Sequence, residues 1–260
     1  FNTMVKQLKE RMEMKEAMNL AMEVQQNLLP RKMPQIKGLE IAARSIYCDE
    51  TGGDLYDFLE VDDSNAGRIG IAVGDVSGHG IPAALLMATV RAFLKSRVTQ
   101  PGSSAEIISD VNRLVTYDTG DTGQFMTLFY AVFDTGNKEL QWVRAGHDPA
   151  IFYDPAKDEF KELNGYGMAL GLDGKFKYRE NMQAGLTMGQ ILLIGTDGLW
   201  ETQSQSGEMF GKDRIKALIK KNANSSPDKI LEAIISALRE FQGLMKQEDD
   251  VTLAVIKVSE

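Results

Sequence analysis

The stretch Arg68–Pro82, RIGIAVGDVSGHGIP, constrains the chain more tightly than any other. Ile69, Ile71 and Val73 alternate with Gly70 and Ala72, a pattern that suits a short, largely buried strand. The strand runs into a glycine-punctuated turn, Gly74–Gly80, which places Asp75 at its mouth. Pro82 has no N–H to leave unsatisfied and suits the first turn of a helix, whose face continues through Leu85, Leu86, Thr89, Val90, Phe93 and Leu94. A carboxylate held at a strand's mouth, among glycines that permit close backbone approach, is an arrangement for handling a metal or a phosphate. Which of these it does depends on the partners supplied by the rest of the chain.

Bulk properties remove several classes. The 260 residues leave room for one large domain with an appendage, or two small ones. No apolar run approaches the roughly 20 residues of a membrane helix, and the first residues lack the apolar segment of a signal peptide. A start at Phe1 reads as a fragment of a longer chain. The single Cys48 rules out an internal disulfide framework and fits a reducing, cytoplasmic compartment. It also lacks the arginine that a cysteine-dependent phosphatase loop wants six positions later, where Asp54 stands. His79 and His147 are too few for a histidine-rich zinc cage. A net charge of −8, with no basic stripe, argues against nucleic acid as a partner. Any metal here is a hard cation held by oxygens.

Residues 1–29 form one helical pattern without Pro or Gly. Phe1, Val5, Leu8 and Met12 make one apolar phase, and Met14, Ala17, Ala21, Val24 and Leu28 a second, as in a coiled-coil seam with a register break. So narrow a stripe suits pairing with a second copy in a homodimer; the alternative is a helix folded back on its own domain. Pro30 and Pro34 mark the boundary with residues 30–260. Strands are expected at Leu39–Ile46, Leu55–Val61, Met126–Asp134, Glu139–Ala145, Ala150–Tyr153, Gln190–Gly195 and Val251–Val258, with a hairpin-like connection over Asp62–Gly67. Helices are expected at Pro82–Val98, Ser104–Tyr117 (capped by Ser103 or Ser104), Asp213–Asn222 and Pro227–Gln242. Strands in bunches and helices in pairs give an α+β class with sheet packed on sheet and helices outside.

Three more acidic positions mirror Asp75. Asp54 follows Gly52–Gly53 and precedes a strand, Asp197 follows the QILLIGT strand, and Asp249 and Asp250 precede the last strand. Carboxylates converging in a water-poor cleft repel strongly unless divalent cations neutralise them, and magnesium or manganese accepts such all-oxygen donors. Two such ions can acidify a water and hold a phosphoryl group for in-line attack, without histidine or cysteine. Any one Asp–Gly turn is more often structural; four in this order are the signal.

The segments ETGGDLYDF, IAVGDVSGHGIPAALLMA, FMTLFYAVFD, RAGHDPAIF, ALGL, LLIGTDGLWET and QEDDVTLAVI, taken in order, resemble the bacterial sporulation- and stress-response branch of the metal-dependent (type 2C) Ser/Thr protein phosphatases, from Leu28 to Val258. The resemblance implies an α-β-β-α sandwich with a dinuclear metal site, and hydrolysis of phosphoserine or phosphothreonine by a metal-activated water without a phosphoenzyme. By motif position it implies Asp54, Asp75, the Val76 carbonyl, Asp197 and Asp249 as metal ligands, with Asp75 bridging both ions. Asp250 is the less favoured of its pair, and Asp57 is expected behind the ligands. Animal and plant members carry a phosphate-binding arginine five positions before the first aspartate; here that position is Asp49, so the phosphate-gripping group is unassigned. The first residues resemble the end of a HAMP signalling module, which implies an upstream membrane sensor and reaches the membrane only through it. The branch implies control by dimerising linker helices and phosphorylated STAS-domain antagonists of anti-sigma factors as substrates.

Other readings stand beside these. His79 either relays a proton to the leaving oxygen or braces its turn; His147 is expected to brace a hairpin, and Arg91 to lie on a solvated helix face. A non-catalytic partner-binding domain of the same fold is the alternative function. A nucleotide cyclase is set aside, because Leu55–Tyr56 replaces the Glu–Phe of GG[DE]EF, and there is no P-loop.

Overall fold

The computed structural model describes residues 2–49, 51–61, 67–120 and 122–260. Its elements run α1 (Asn2–Leu28), β1 (Leu39–Ile46), β2 (Leu55–Glu60), β3 (Arg68–Val76), α2 (Ile81–Val98), α3 (Ser104–Thr119), β4 (Met126–Asp134), β5 (Glu139–Ala145), β6 (Ala150–Asp154), β7 (Glu159–Leu163), β8 (Asn181–Ala184), β9 (Ile191–Gly195), α4 (Gly198–Glu201), α5 (Gly211–Lys221), α6 (Pro227–Gln242) and β10 (Val251–Val258). The connection expected over Asp62–Gly67 falls largely on residues outside the described set.

Two five-stranded sheets form, ordered β1-β10-β9-β6-β7 and β2-β3-β4-β5-β8, and every strand pair in them is antiparallel. In β9, Leu192 and Ile194 face the interior shared by the two sheets, while Ile191 and Leu193 face α4, α5 and α6. In β10, Ala254 and Ile256 take the first role, Leu253 and Val255 the second. This period-two division makes both faces of one sheet apolar, so a helix layer must cover the outer one. The other sheet is covered by α2 and α3 in the same way. The expected α-β-β-α sandwich is therefore the observed fold.

Most expected elements recur with ends moved by a residue or two, and α3 is capped by Ser103, whose hydroxyl accepts the Glu106 N–H at 3.2 Å while the Glu106 carboxylate accepts the Ser103 N–H at 2.8 Å. The central strand is longer than its apolar alternation indicated. Gly74, Asp75 and Val76 continue the ladder opposite Leu128, Thr127 and Met126, so Asp75 lies within β3 rather than in the turn. Strands β7 and β8 are additional to the expected elements; both lie at sheet edges, where β8 buries no side chain and β7 only Leu163, so neither carries an apolar signal. Among the described residues no helix is long and apolar enough to cross a membrane.

Helix α1 leaves Met4, Val5, Leu8, Met12, Met14, Leu20 and Val24 exposed. It enters the fold only at its end, through Gln25 and the following Leu29.

His147 ties the two sheets together instead of bracing a hairpin. Its Nε2–H donates to the Gly195 carbonyl of β9 at 3.0 Å, and its Nδ1 accepts from the Thr127 hydroxyl of β4 at 2.8 Å. Burial is the main cause that pushes its pKa down to about 4. Between that value and the unfolded one near 6.5, the unfolded chain takes up a proton that the folded chain refuses. The neutral ring therefore contributes fully above about pH 6.5, and its contribution is lost as pH falls toward about 4. Urea unfolding should show the advantage of the parent over His147→Gln shrinking by about 3 kcal/mol from pH 7 to pH 4; a difference independent of pH would contradict this.

Candidate active site

At one end of the sandwich, β2 and β3 of one sheet meet β9 and β10 of the other. Asp54 immediately precedes β2, Asp75 is the penultimate residue of β3, Asp197 follows β9 and caps the short α4, and Asp249 leads into β10. Antiparallel pairing returns each strand to the same end, which gathers side chains remote in sequence. Asp54 is buried and accepts the Thr196 hydroxyl at 2.8 Å. It faces Asp75, and Asp75 in turn faces Asp197, Asp249 and Asp250.

The electrostatics follow from that gathering. Burial, then repulsion from Asp197 and Asp249, pushes the Asp75 carboxyl up to about 8. Asp54 is raised well above the usual carboxylate range by burial and by Asp75. Asp197 and Asp249 are raised too, by burial first and then, for Asp197, by Asp249, and for Asp249, by Asp250. Among the described residues no three acidic, histidine or cysteine side chains already surround one point as an ion's shell would. Nearby N–H groups hold two of them: an Asp197 oxygen accepts from Gly198 at 2.9 Å, and an Asp249 oxygen from Asp250 at 2.8 Å. The donor set, all carboxylate and mutually destabilised, fits hard divalent cations, which offset such repulsion and favour the ionised forms.

Asp250 serves the backbone. Its two oxygens accept the Cys48 and Gly53 N–H groups, each at 2.9 Å, and tie these two residues to the start of β10. The glycines beside it are needed for close approach: a Cβ on Gly52 would lie 2.1 Å from an Asp250 carboxylate oxygen, and one on Gly198 would lie 2.1 Å from the Asp250 carbonyl. Cys48 is pushed up to about 12 by burial and by Asp250, which leaves it an inert thiol.

Asp57 is not brought to the cluster. It is buried under α2, with Arg91 Nε at 2.9 Å and Lys95 Nζ at 3.5 Å. Arg91 accordingly leaves the solvated face that its sequence position indicated. His79 sets its Nδ1 3.2 Å from Asp49, which also holds Lys246 at 3.0 Å, and lies near enough to Asp249 to lower its carboxyl. Thus the position that bears arginine elsewhere holds an acid with two basic side chains at the rim. Beside Asp249 opens a cavity of about 210 Å³, walled by Met209, Gln242, Met245 and Lys246.

Sequence reasoning missed Asp148, which adds its charge next to Asp197 and pairs with Lys212 at 2.8 Å. The Lys212 ammonium sits 4.4 Å from the centre of the Trp200 ring, on the helix that Asp197 caps. Its signal in the sequence is the RAGHDP segment, where it follows His147.

A double-sheet sandwich with acidic strand ends gathered at one edge is the architecture of a metal-dependent phosphatase. Residues 65–259 match the family described as Stage II sporulation protein E (SpoIIE). Over 245 residues the chain is 30% identical to phosphoserine phosphatase RsbU of Bacillus subtilis (strain 168), covering 94% of this chain and 71% of that one. The SiaA-PP2C domain of Pseudomonas aeruginosa has the same fold at a TM-score of 0.84 and 23% identity, over 96% of this chain and 99% of that chain. RsbX in complex with magnesium aligns at a TM-score of 0.65 and 17% identity, over 88% of this chain and 99% of that chain. The chain belongs to the SpoIIE family, the sporulation and stress-response branch of the metal-dependent Ser/Thr protein phosphatases.

An aspartate whose carboxyl titrates near 8 when folded and near 3.9 when unfolded weakens the metal-free fold at neutral pH. Asp75→Asn removes that penalty. In chelator at pH 7 the variant should be more stable than the parent by about 4 kcal/mol, read as a higher thermal midpoint; an unchanged or lower midpoint would sink the repulsion account.

Proposed function

We propose that the chain hydrolyses the phosphate monoester of phosphoserine or phosphothreonine on a protein substrate, using two divalent cations, manganese or magnesium, held by Asp54, Asp75, Asp197, Asp249 and the Val76 carbonyl. The observation that carries this reading is the mutual perturbation of carboxylates from four separate strand ends in one cleft. When bound, such ions acidify a water and neutralise charge on the phosphoryl group. The remaining work falls to the chain. Thr196 fixes one oxygen of Asp54, and its own hydroxyl accepts the Thr252 N–H at 3.0 Å, so the donor is aimed from the sheet that carries β9 and β10. Asp250 holds the Cys48 and Gly53 backbone in register with Asp249. Lys246, held at the mouth by Asp49, offers the rim a positive charge toward an incoming phosphate. The cavity beside Asp249, partly walled by Met209 and Met245, admits the residues flanking the phosphoester.

The wider setting is read the same way. Residues 1–29 are a linker and residues 30–260 the phosphatase domain; the exposed apolar side chains of α1 support pairing with a second copy in a homodimer. The substrate class is a phosphorylated STAS-domain protein in a cytoplasmic partner-switching pathway, and residues 1–29, read as the end of a HAMP-like module, connect the domain to a membrane sensor. Kinship with RsbU, a phosphoserine phosphatase, supports the reaction.

With manganese present, the parent should release phosphate from a phosphoserine protein and stop in chelator. Asp75→Asn, Asp197→Asn and Asp249→Asn should each lower kcat by at least about 100-fold, measured as phosphate released; a parent without turnover at any protein concentration would refute the reading and favour the partner-binding alternative. Leu8→Glu with Met12→Glu should move the parent's sedimentation from dimer toward monomer and lower its activity in step; a parent already monomeric at high concentration would refute the seam.

A further inference from the structure

The walls of the cavity beside Asp249 come from separate parts of the chain. The end of α4 supplies Glu201, a hairpin in which Gln203 pairs with Met209 supplies Met209, and the stretch between α6 and β10 supplies Met245, Lys246 and Glu248. At about 210 Å³ the space is smaller than the roughly 300–1,000 Å³ of a small-molecule pocket and is sized for one side chain. Because Asp249 borders it, a side chain held there lies next to the proposed metal site, where the phosphoester reacts.

The walls specify the chemistry of that side chain. Among the described residues, no hydrogen bond or ion pair engages the carboxylate of Glu201 or of Glu248. The basic residue of the lining, Lys246, has its ammonium 3.0 Å from Asp49, which is not part of the wall. Lys212, which acts on Glu201 from farther away, is paired with Asp148 at 2.8 Å. Two wall carboxylates are therefore left without a close counter-charge. Met209 and Met245 add an apolar part, and they are 53% and 47% exposed. Their unbranched thioethers adapt to a long, flexible chain. A methylene stem with a cationic head satisfies both parts, the stem along the methionines and the head among the carboxylates. An acidic side chain would meet like charge, and a purely apolar one would leave the carboxylates unanswered.

We propose that this cavity is a specificity subsite for a lysine or arginine flanking the phosphoserine or phosphothreonine of the substrate, selected by Glu201 and Glu248. The proposal deepens the phosphatase reading above and rests on it. The ions would answer the charge of the phosphate itself, while the subsite reads the sign of its neighbour.

The test uses the full chain with Mn²⁺, hydrolysing an aryl phosphate, and measures the inhibition constants of phosphoserine peptides that compete with it. Binding is then read whether or not a peptide is itself turned over. Lysine, its uncharged isostere norleucine, and glutamate are placed at each flanking position in turn. At one position lysine should bind about fivefold tighter than norleucine and about tenfold tighter than glutamate, and the preference should shrink as salt is raised. Glu201→Gln combined with Glu248→Gln should bring lysine and norleucine level. Glu201→Lys combined with Glu248→Lys should turn the preference toward glutamate. Each ratio is taken within one enzyme, so a variant that only loses stability or metal weakens every peptide alike and leaves its ratio at the parent's value. That result overturns the subsite. So does a parent that binds lysine and norleucine equally at every position, or one with which no peptide competes, and in these cases aryl phosphate hydrolysis still upholds the phosphatase reading. A parent that hydrolyses no aryl phosphate removes that reading, and this proposal with it.

Discussion

Like charges forced together in a poorly solvated cleft are the constraint on which this molecule turns. Burial raises the proton affinity of Asp54, Asp75, Asp197 and Asp249, and repulsion from neighbouring carboxylates adds to the effect. A protein does not assemble such a group without a rigid frame to bear the repulsion. Here the frame is two antiparallel sheets whose strands all return to the same edge. Much of the local chemistry there manages the consequences: a Thr196 hydroxyl on Asp54, backbone N–H groups on Asp197, Asp249 and Asp250, and glycines where any side chain would collide.

That frame is held by apolar burial on both faces of each sheet. In β9 and β10 alternate residues point to different layers, so a one-residue slip would exchange the inner and outer sets and would also swing Asp249 out of the cleft. Register and site are thus specified together. His147 adds a polar tie at the same edge, joining β4 to β9 across the two sheets while remaining uncharged. Arg91 and Asp57 do the corresponding work beneath α2, away from the carboxylates.

Helix α1 joins this edge by a different kind of contact. For most of its length α1 presents methionines, leucines and valines to solvent, which is costly for a lone helix and natural for one that pairs. Only near its end does it enter the fold, and it does so through an amide bonded to the backbone ahead of Asp54. A hydrogen-bonded contact is directional and is lost over a small displacement, whereas an apolar contact slides.

The sequence alone determined the fold class, most of the elements, and the acidic residues at the strand ends, because these rest on short-range patterns: alternation in β3 and β9, periodicity in α6, and Asp–Gly turns. It did not show β7 and β8, whose edge positions leave little apolar pattern to read. Nor could local pattern assign partners. That Asp57 faces Arg91 rather than the cleft, that Asp148 joins Asp197, that Asp49 gathers His79 and Lys246, and that Gln25 grips Gly52 are all pairings between residues far apart in the chain. Only the tertiary structure decides them, because a side chain's charge and length say what it can bind, while the packing of the sheets and helices sets what stands within its reach.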